Sequence, residues 1–264
     1  TVKVGYSRTV CFTPMSGILN QKIYLPISYA PLQFEFELVG AASDALNVGA
    51  GSEKFEISNV QLKCDLVTLD NSLDNEYAQH LLDGGNLPIN FGTFTTASQV
   101  INNIKSSVNV QRAFARMKSV YVSLSNDQNS NKSEVDDFLN PMGATYDFQK
   151  ELQFQMQLGN KLFPEYPIRS VAESYYQLRK VMGDYHSNTG AMDINPQDYR
   201  STKYVIGIDT EQMLGASFSG METKSGSLLT LRLDKQGGNA ALPAVGTTKI
   251  HYALEYDVVL QIND

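Results

Sequence analysis

"ELQFQMQL", residues 151–158, sets the fold class. Leu152, Phe154, Met156 and Leu158 alternate with Gln153, Gln155 and Gln157. Successive side chains of an extended chain point to opposite sides, so this run reads as a strand with one face on a core and the other on polar surroundings. The same period of two recurs along the chain. "KIHYALEYDVVLQI" (249–262) places Ile250, Tyr252, Leu254, Tyr256, Val258 and Leu260 on one side. "QFEFEL" (33–38) sets Phe34, Phe36 and Leu38 against Glu35 and Glu37. "VQLKCDLV" (60–67) aligns Val60, Leu62, Cys64 and Leu66, so Cys64 is expected to be a small buried hydrophobe. "KSVYVSL", "KYVIGID" and "SLLTLRL" are shorter runs of the same kind. With about nine such segments separated by long polar loops, the chain is expected to be all-β, an antiparallel jelly-roll sandwich or pair of sandwiches.

Helices are few. "DNEYAQHLLDGG" (74–85) predicts a short one, ended by Gly84. "SVAESYYQLRKVMG" predicts a better one over 170–182. Ser170 and Glu173 have capping-box spacing, Val171, Tyr175, Leu178 and Met182 share a face, and Gly183 follows as a left-handed terminator. Between Leu158 and this helix lies "GNKLFPEYPIR", where Pro164 and Pro167 predict a turn that keeps the preceding strand from running into the helix. The loops 41–53, 125–137 and 234–246 are polar and are expected to be exposed.

Composition narrows the function. The chain has 264 residues, of which 42% are hydrophobic and 19% charged, enough to bury a sizeable core. It has no Trp, but its 14 Tyr and 12 Phe suit sheet surfaces. The net charge of −7 disfavours a nucleic-acid binder, which needs many phosphate-neutralising cations. Lys105, Arg112, Arg116 and Lys118 lie close in sequence and read as a solvated strand face. Cys11 and Cys64 form no CxxC, and His80, His186 and His251 have no metal-ligand spacing. Asp65, Asp70 and Asp74 with Asn71 and Asn75 lack the order of a calcium loop and read as turn and helix-cap residues. There is no GxSxG elbow, P-loop or GxGxxG. No apolar run is long enough to span a bilayer. A start at Thr1 is expected of a processed chain or of part of a longer product.

Several stretches resemble the major capsid proteins of the double jelly-roll virus lineage, in particular polinton-like viruses, adintoviruses and virophage relatives. They are "YLPISYAPLQFEFEL" (24–38), "ISNVQLKCDLVTLDNSLDNEYAQHLL" (57–82), "VQRAFARMKSVYVSL" (110–124) and "MQLGNKLFPEYPIRSVAESYYQLRK" (156–180), followed by "KYVIGIDTEQML", "GMETKSGSLLTLRL" and "KIHYALEYDVVLQI". They cover most of the chain from about residue 10 onward, in order. Members of that family are usually longer, with a full first barrel ahead of these stretches.

The resemblance implies a non-catalytic structural protein of the virion, made in the infected host cell. It implies a homotrimeric, pseudo-hexagonal capsomer of an icosahedral shell, with no cofactor. The partners implied are other copies, neighbouring capsomers and minor capsid or penton proteins. It implies a partial or compact first jelly roll over 1–105 and a second over 106–264, with the boundary near "SQVINNIKSS" (98–107). The loop and helix after Leu158 would then be a packing element, with Pro164, Glu165, Tyr166, Pro167, Arg169, Tyr175 and Tyr176 as the assembly surface. Two other readings stay open from the residues alone. One is a jelly-roll binding module, a lectin or trimeric receptor ligand, using the loops 41–53 or 125–137. The other is an enzyme on a β-sandwich.

Overall fold

The structure is a computed structural model that describes residues 5–14, 16–21, 23–38, 56–101, 105–126, 152–183, 194–201, 203–210, 220–224, 228–235 and 248–262. Its strands are β1 (Leu87–Ile101), β2 (Lys105–Val110), β3 (Met117–Asn126), β4 (Leu152–Leu158), β5 (Lys161–Ile168), β6 (Ile206–Asp209), β7 (Leu229–Lys235) and β8 (Thr248–Ile262). They form two four-stranded sheets, ordered β1–β8–β3–β6 and β2–β7–β4–β5. The first strand neighbours the last, the second the seventh, the third the sixth and the fourth the fifth. This is one long hairpin ladder rolled into a sandwich, the jelly-roll arrangement.

The alternation read from the sequence fills the space between the sheets. In one sheet Val120 faces Leu254 and Leu124 faces Ile250. In the other Phe154 faces Leu233, and Leu231 lies between Met156 and Val108. All of these side chains are buried in one continuous core. Burying a Leu, Val or Phe stabilises by about 1.5–3 kcal/mol each, so this layer supplies most of the driving force for folding.

Among the described residues four helices accompany the strands: α1 (Gly17–Asn20), α2 (Asn71–Leu82), α3 (Val171–Val181) and α4 (Pro196–Ser201). Helix α2 starts three residues earlier than the sequence predicts. Asp70 caps it by accepting from the Ser72 N–H at 2.6 Å, and Gly84 follows with φ +81°. The cap reading of Asp70 holds, and among the described residues no group of three His, Cys, Asp or Glu is placed to hold a metal ion. No described helix is long and apolar enough to cross a membrane.

The chain divides into two units, Thr1–Thr93 with Val258–Asp264, and Phe94–Asp257. In the first, Leu81, Ile89 and Ile262 are the buried apolar side chains among the described residues. Tyr29 donates to the Asp74 carboxylate at 3.1 Å. The second holds the core just described. The run 98–107, where a boundary is expected, covers the end of β1 and the start of β2, and both strands belong to the eight-stranded arrangement.

Three sequence expectations are corrected. "QFEFEL" and "VQLKCDLV" lie outside any strand, and Phe36, Leu38, Val60, Leu62 and Leu66 are exposed. Cys64 is exposed as well. An alternating pattern is necessary for a half-buried strand, but a ladder neighbour is also required, and these segments have none among the described residues. The turn expected across Pro164 and Pro167 is also a strand. The chain reverses earlier, at Gly159 (φ +57°) and Asn160, between the paired residues Leu158 and Lys161. Loop 41–53 and nearly all of 125–137 and 234–246 lie outside the described residues, as does His186.

Candidate assembly surface

The candidate surface is built on β5, an edge strand of its sheet, which among the described residues pairs only with β4. Prolines are tolerated there because a missing N–H on the outer side breaks no ladder bond. The pairing is regular from Leu158↔Lys161 to Met156↔Phe163, then jumps to Phe154↔Ile168. Between those last two pairs Gln155 alone on β4 faces Pro164, Glu165, Tyr166 and Pro167 on β5. The edge therefore carries a wide bulge with its apex at Glu165–Tyr166. The Phe163–Pro164 peptide is cis.

Gln155 holds the bulge. Its side-chain amide donates to the Pro164 carbonyl at 2.9 Å and the Glu165 carbonyl at 3.1 Å. The same side chain appears in the sequence as one more polar residue on a strand, and nothing in the period of two distinguishes it from Gln153 or Gln157. Gln157 instead bonds the turn, donating to the Gly159 carbonyl at 2.8 Å. Tyr166 projects from the apex, 78% exposed. Glu165 is exposed, and Pro164 and Pro167 are half-buried. Ile168 closes the bulge by returning to the core.

Helix α3 follows at once. Its N-terminus forms as the sequence predicts, with the Ser170 Oγ accepting from the Glu173 N–H at 3.1 Å. The Glu173 carboxylate reaches back one residue further than a standard capping box, to the Arg169 N–H at 2.6 Å. The helix packs on β6, where Gly207 permits the approach. A Cβ there would stand 3.2 Å from the side chains of Leu178 and Val181. One face of β6 thus points into the sandwich through Ile206 and Ile208 while the other lies under the helix. Helix α3 covers a local core through Leu178 and Val171, and Tyr176 lies on its exposed side.

The seven expected surface residues divide accordingly. Glu165, Tyr166, Arg169 and Tyr176 are exposed. Tyr175 turns inward: its ring lies 5.0 Å from that of Tyr199, and its hydroxyl donates to the Ile194 carbonyl at 2.8 Å. Tyr199 is fully buried, stacks near Tyr204 and donates to the Val205 carbonyl at 2.8 Å. Burial, reinforced by the Tyr204 and Tyr175 hydroxyls, pushes the Tyr199 hydroxyl far above the ordinary tyrosine range. Helical spacing set Tyr175 on the face of Val171 and Leu178, whereas the resemblance implied a place on the assembly surface; its ring packs against Tyr199 of α4, in line with the spacing.

Lys118 pairs with Asp257 at 2.9 Å, and Arg112 donates to the Thr95 hydroxyl at 2.6 Å, so these two cations are held by partners. His80 lies 3.3 Å from the Asn86 carbonyl. His251 lines a shallow groove of about 400 Å³ on the outer face of the β1–β8–β3–β6 sheet, with Thr96, Ser98, Tyr121 and Ser123. Burial raises the Tyr121 hydroxyl, with Glu255 and Asp209 adding to the effect against a lowering hydrogen bond from Ser119.

No family model and no curated protein matches the sequence. Among solved structures, the chain is similar to a quasi-atomic model of the PBCV-1 virus capsid, with a TM-score of 0.45 and 13% identity over 74% of this chain and 53% of that one. It is also similar to PBCV-1 VP54 fitted into a reconstruction of the virophage Sputnik, with a TM-score of 0.42 and 16% identity over 74% of this chain and 52% of that one. The chain thus spans about half the length of the solved chains it matches.

Proposed function

We propose that this chain is a structural capsid protein of the double jelly-roll lineage that self-assembles as a homotrimeric capsomer. The observation that carries the reading is the jelly roll with a blunted, side-chain-bearing edge. At β5 the prolines and the bulge remove the regular row of ladder donors, so a second sheet cannot simply continue there. The edge instead presents Tyr166, on a backbone held by Gln155, with Arg169 just after it and Tyr176 exposed on helix α3, residue types that specific interfaces favour. In this reading the surface holds copies together, neighbouring capsomers and minor capsid proteins are the further partners, and no catalysis or cofactor is involved.

The test is solution mass by light scattering across a concentration series, followed by electron microscopy. A trimer that persists on dilution and falls to monomer in Tyr166→Asp, with unchanged circular dichroism, is expected. A monomer at every concentration, or a trimer indifferent to Tyr166→Asp and Arg169→Glu, refutes this surface. A monomer that captures glycans would replace the reading with the binding module.

A further inference from the structure

The outer face of the β1–β8–β3–β6 sheet is hollowed at its centre. Tyr121 of β3 stands opposite Ala253 of β8, and Ser123 stands opposite His251. Two rings and two short side chains thus take alternate corners of a square of neighbouring positions. Ser123 and Ala253 leave the space that becomes the groove of about 400 Å³. Val205, just ahead of β6, borders it on one side, and Thr96 and Ser98 of β1 border it on the other. Phe94 has the parity of Thr96 and Ser98, and its ring centroid lies 6.3 Å from that of Tyr121. Phe94 is 53% exposed, so a large apolar ring stands in water beside the groove. The Tyr121 hydroxyl reaches the Met182 Sδ at 3.8 Å, so Tyr121 offers the groove its ring and not its hydroxyl. No Asp, Glu, Lys or Arg is among the described residues that line the groove. The carboxylates of Glu255 and Asp209 lie one row beyond Tyr121, on either side of Ser119. Both are engaged there: Ser119 donates to Glu255 at 2.6 Å, and Lys180 of α3 lies 3.8 Å from Asp209.

We propose that this groove binds a neutral sugar, a pyranose ring carrying neither phosphate nor carboxylate. Such a ring has an apolar C–H face and a rim of hydroxyls. Tyr121 and Phe94 supply aromatic surface for the face. The hydroxyls of Thr96, Ser98 and Ser123 and the imidazole of His251 are groups that donate and accept, and they supply partners for the rim. An anionic ligand would meet no cation in the lining. A wholly apolar ligand would strip water from these hydroxyls without replacing its bonds. The groove lies at the small end of the ~300–1,000 Å³ range of ligand sites. Being shallow, it suits a short saccharide held with a Kd of about 1 mM. The site is on the face of a sheet and not on the loops that a lectin reading of the sequence would use. All its residues lie within Phe94–Asp257, and none belongs to the Tyr166 surface, so the proposal does not depend on the capsid reading.

The experiment uses the full chain and the methyl pyranosides of glucose, galactose, mannose and N-acetylglucosamine, followed by saturation-transfer NMR. Transfer to at least one of them is expected, strongest for the protons of one face of the ring. Glucose 6-phosphate should bind no more tightly than the neutral glucoside. Phe94→Ala, which removes an exposed ring, should weaken binding about three- to tenfold. Ala253→Leu, which fills the floor, should weaken it about tenfold or more. Both variants should keep native circular dichroism. Asn109→Ala, exposed on the other sheet, should leave binding unchanged. No transfer to any of these sugars overturns the proposal. So does binding that Phe94→Ala leaves unchanged, which places the sugar elsewhere, and so does tighter binding of glucose 6-phosphate. Should Ala253→Leu not fold, Phe94→Ala decides alone, since its ring is already in water.

Discussion

Replacing Gln155 should loosen the candidate surface more than it loosens the fold. Gln155→Ala removes two side-chain hydrogen bonds, at 2.9 and 3.1 Å, to the carbonyls of Pro164 and Glu165. Each bond contributes about 0.5–1.5 kcal/mol net, and the freed side-chain entropy offsets part of that, giving about 1.5 kcal/mol. For a chain of this size that is a fall in Tm of about 3–6 °C. The local effect should be larger in kind. With those two side-chain bonds gone, amide exchange at 163–168 should accelerate about tenfold, while the core strands β3 and β8 change only by the global loss. Gln155→Glu sharpens the test. A carboxylate facing two carbonyls cannot donate and is disfavoured, so its folded pKa should rise above the ordinary glutamate value of about 4.3. A raised acid pKa means stability present at low pH and lost as pH rises through the carboxylate range, so this variant should match Gln155→Ala or better near pH 3 and be worse at pH 7. Hydrogen exchange by mass spectrometry and thermal melts at both pH values read these outcomes. A Gln155→Ala protein whose 163–168 exchange is unchanged would refute the idea that this side chain holds the bulge.

Gly207→Val should cost about 1–3 kcal/mol, seen as a lower Tm, because the added methyls overpack against Leu178 and Val181, already 3.2 Å from a single Cβ. Gly207→Ala should cost much less, since one methyl needs only a few tenths of an ångström of relief. Tyr199 should stay un-ionised in the folded protein well past pH 10, followed by absorbance at 295 nm. Its folded pKa is raised, so its contribution is fully present below about pH 10 and is lost as pH rises further, and alkaline unfolding should begin there. Tyr199→Phe should remove the 2.8 Å bond to Val205 at about 1 kcal/mol and shift that alkaline transition upward.

The fold was legible wherever one face of a strand was committed to a core. Phe154 and Met156 are buried, as their alternation with Gln153, Gln155 and Gln157 predicts, and Ile250 and Leu254 follow the same rule. The α3 cap was equally readable, because Ser170, Glu173 and Gly183 act through contacts three or four residues apart. The pattern misled at 33–38 and 60–67. Period two reports that a segment could be a half-buried strand and is silent on whether a neighbouring strand exists to hold it.

The candidate surface divides along the same line. The residue types at Tyr166, Arg169 and Tyr176 were visible, and helical spacing set Tyr175 on the face of Val171 and Leu178, but its partners, the Ile194 carbonyl and the Tyr199 ring, were not. The prolines suggested a turn, yet β5 runs through them because β4 supplies a partner on one side only.

By itself, the sequence determined the all-β class, the apolar faces and the helix ends, since each depends on side chains a few residues apart. Only the tertiary structure decided the strand order, the role of Gln155 and which edges are blunted. Those depend on which distant strands become neighbours, and a chain's local periodicity carries no record of that choice.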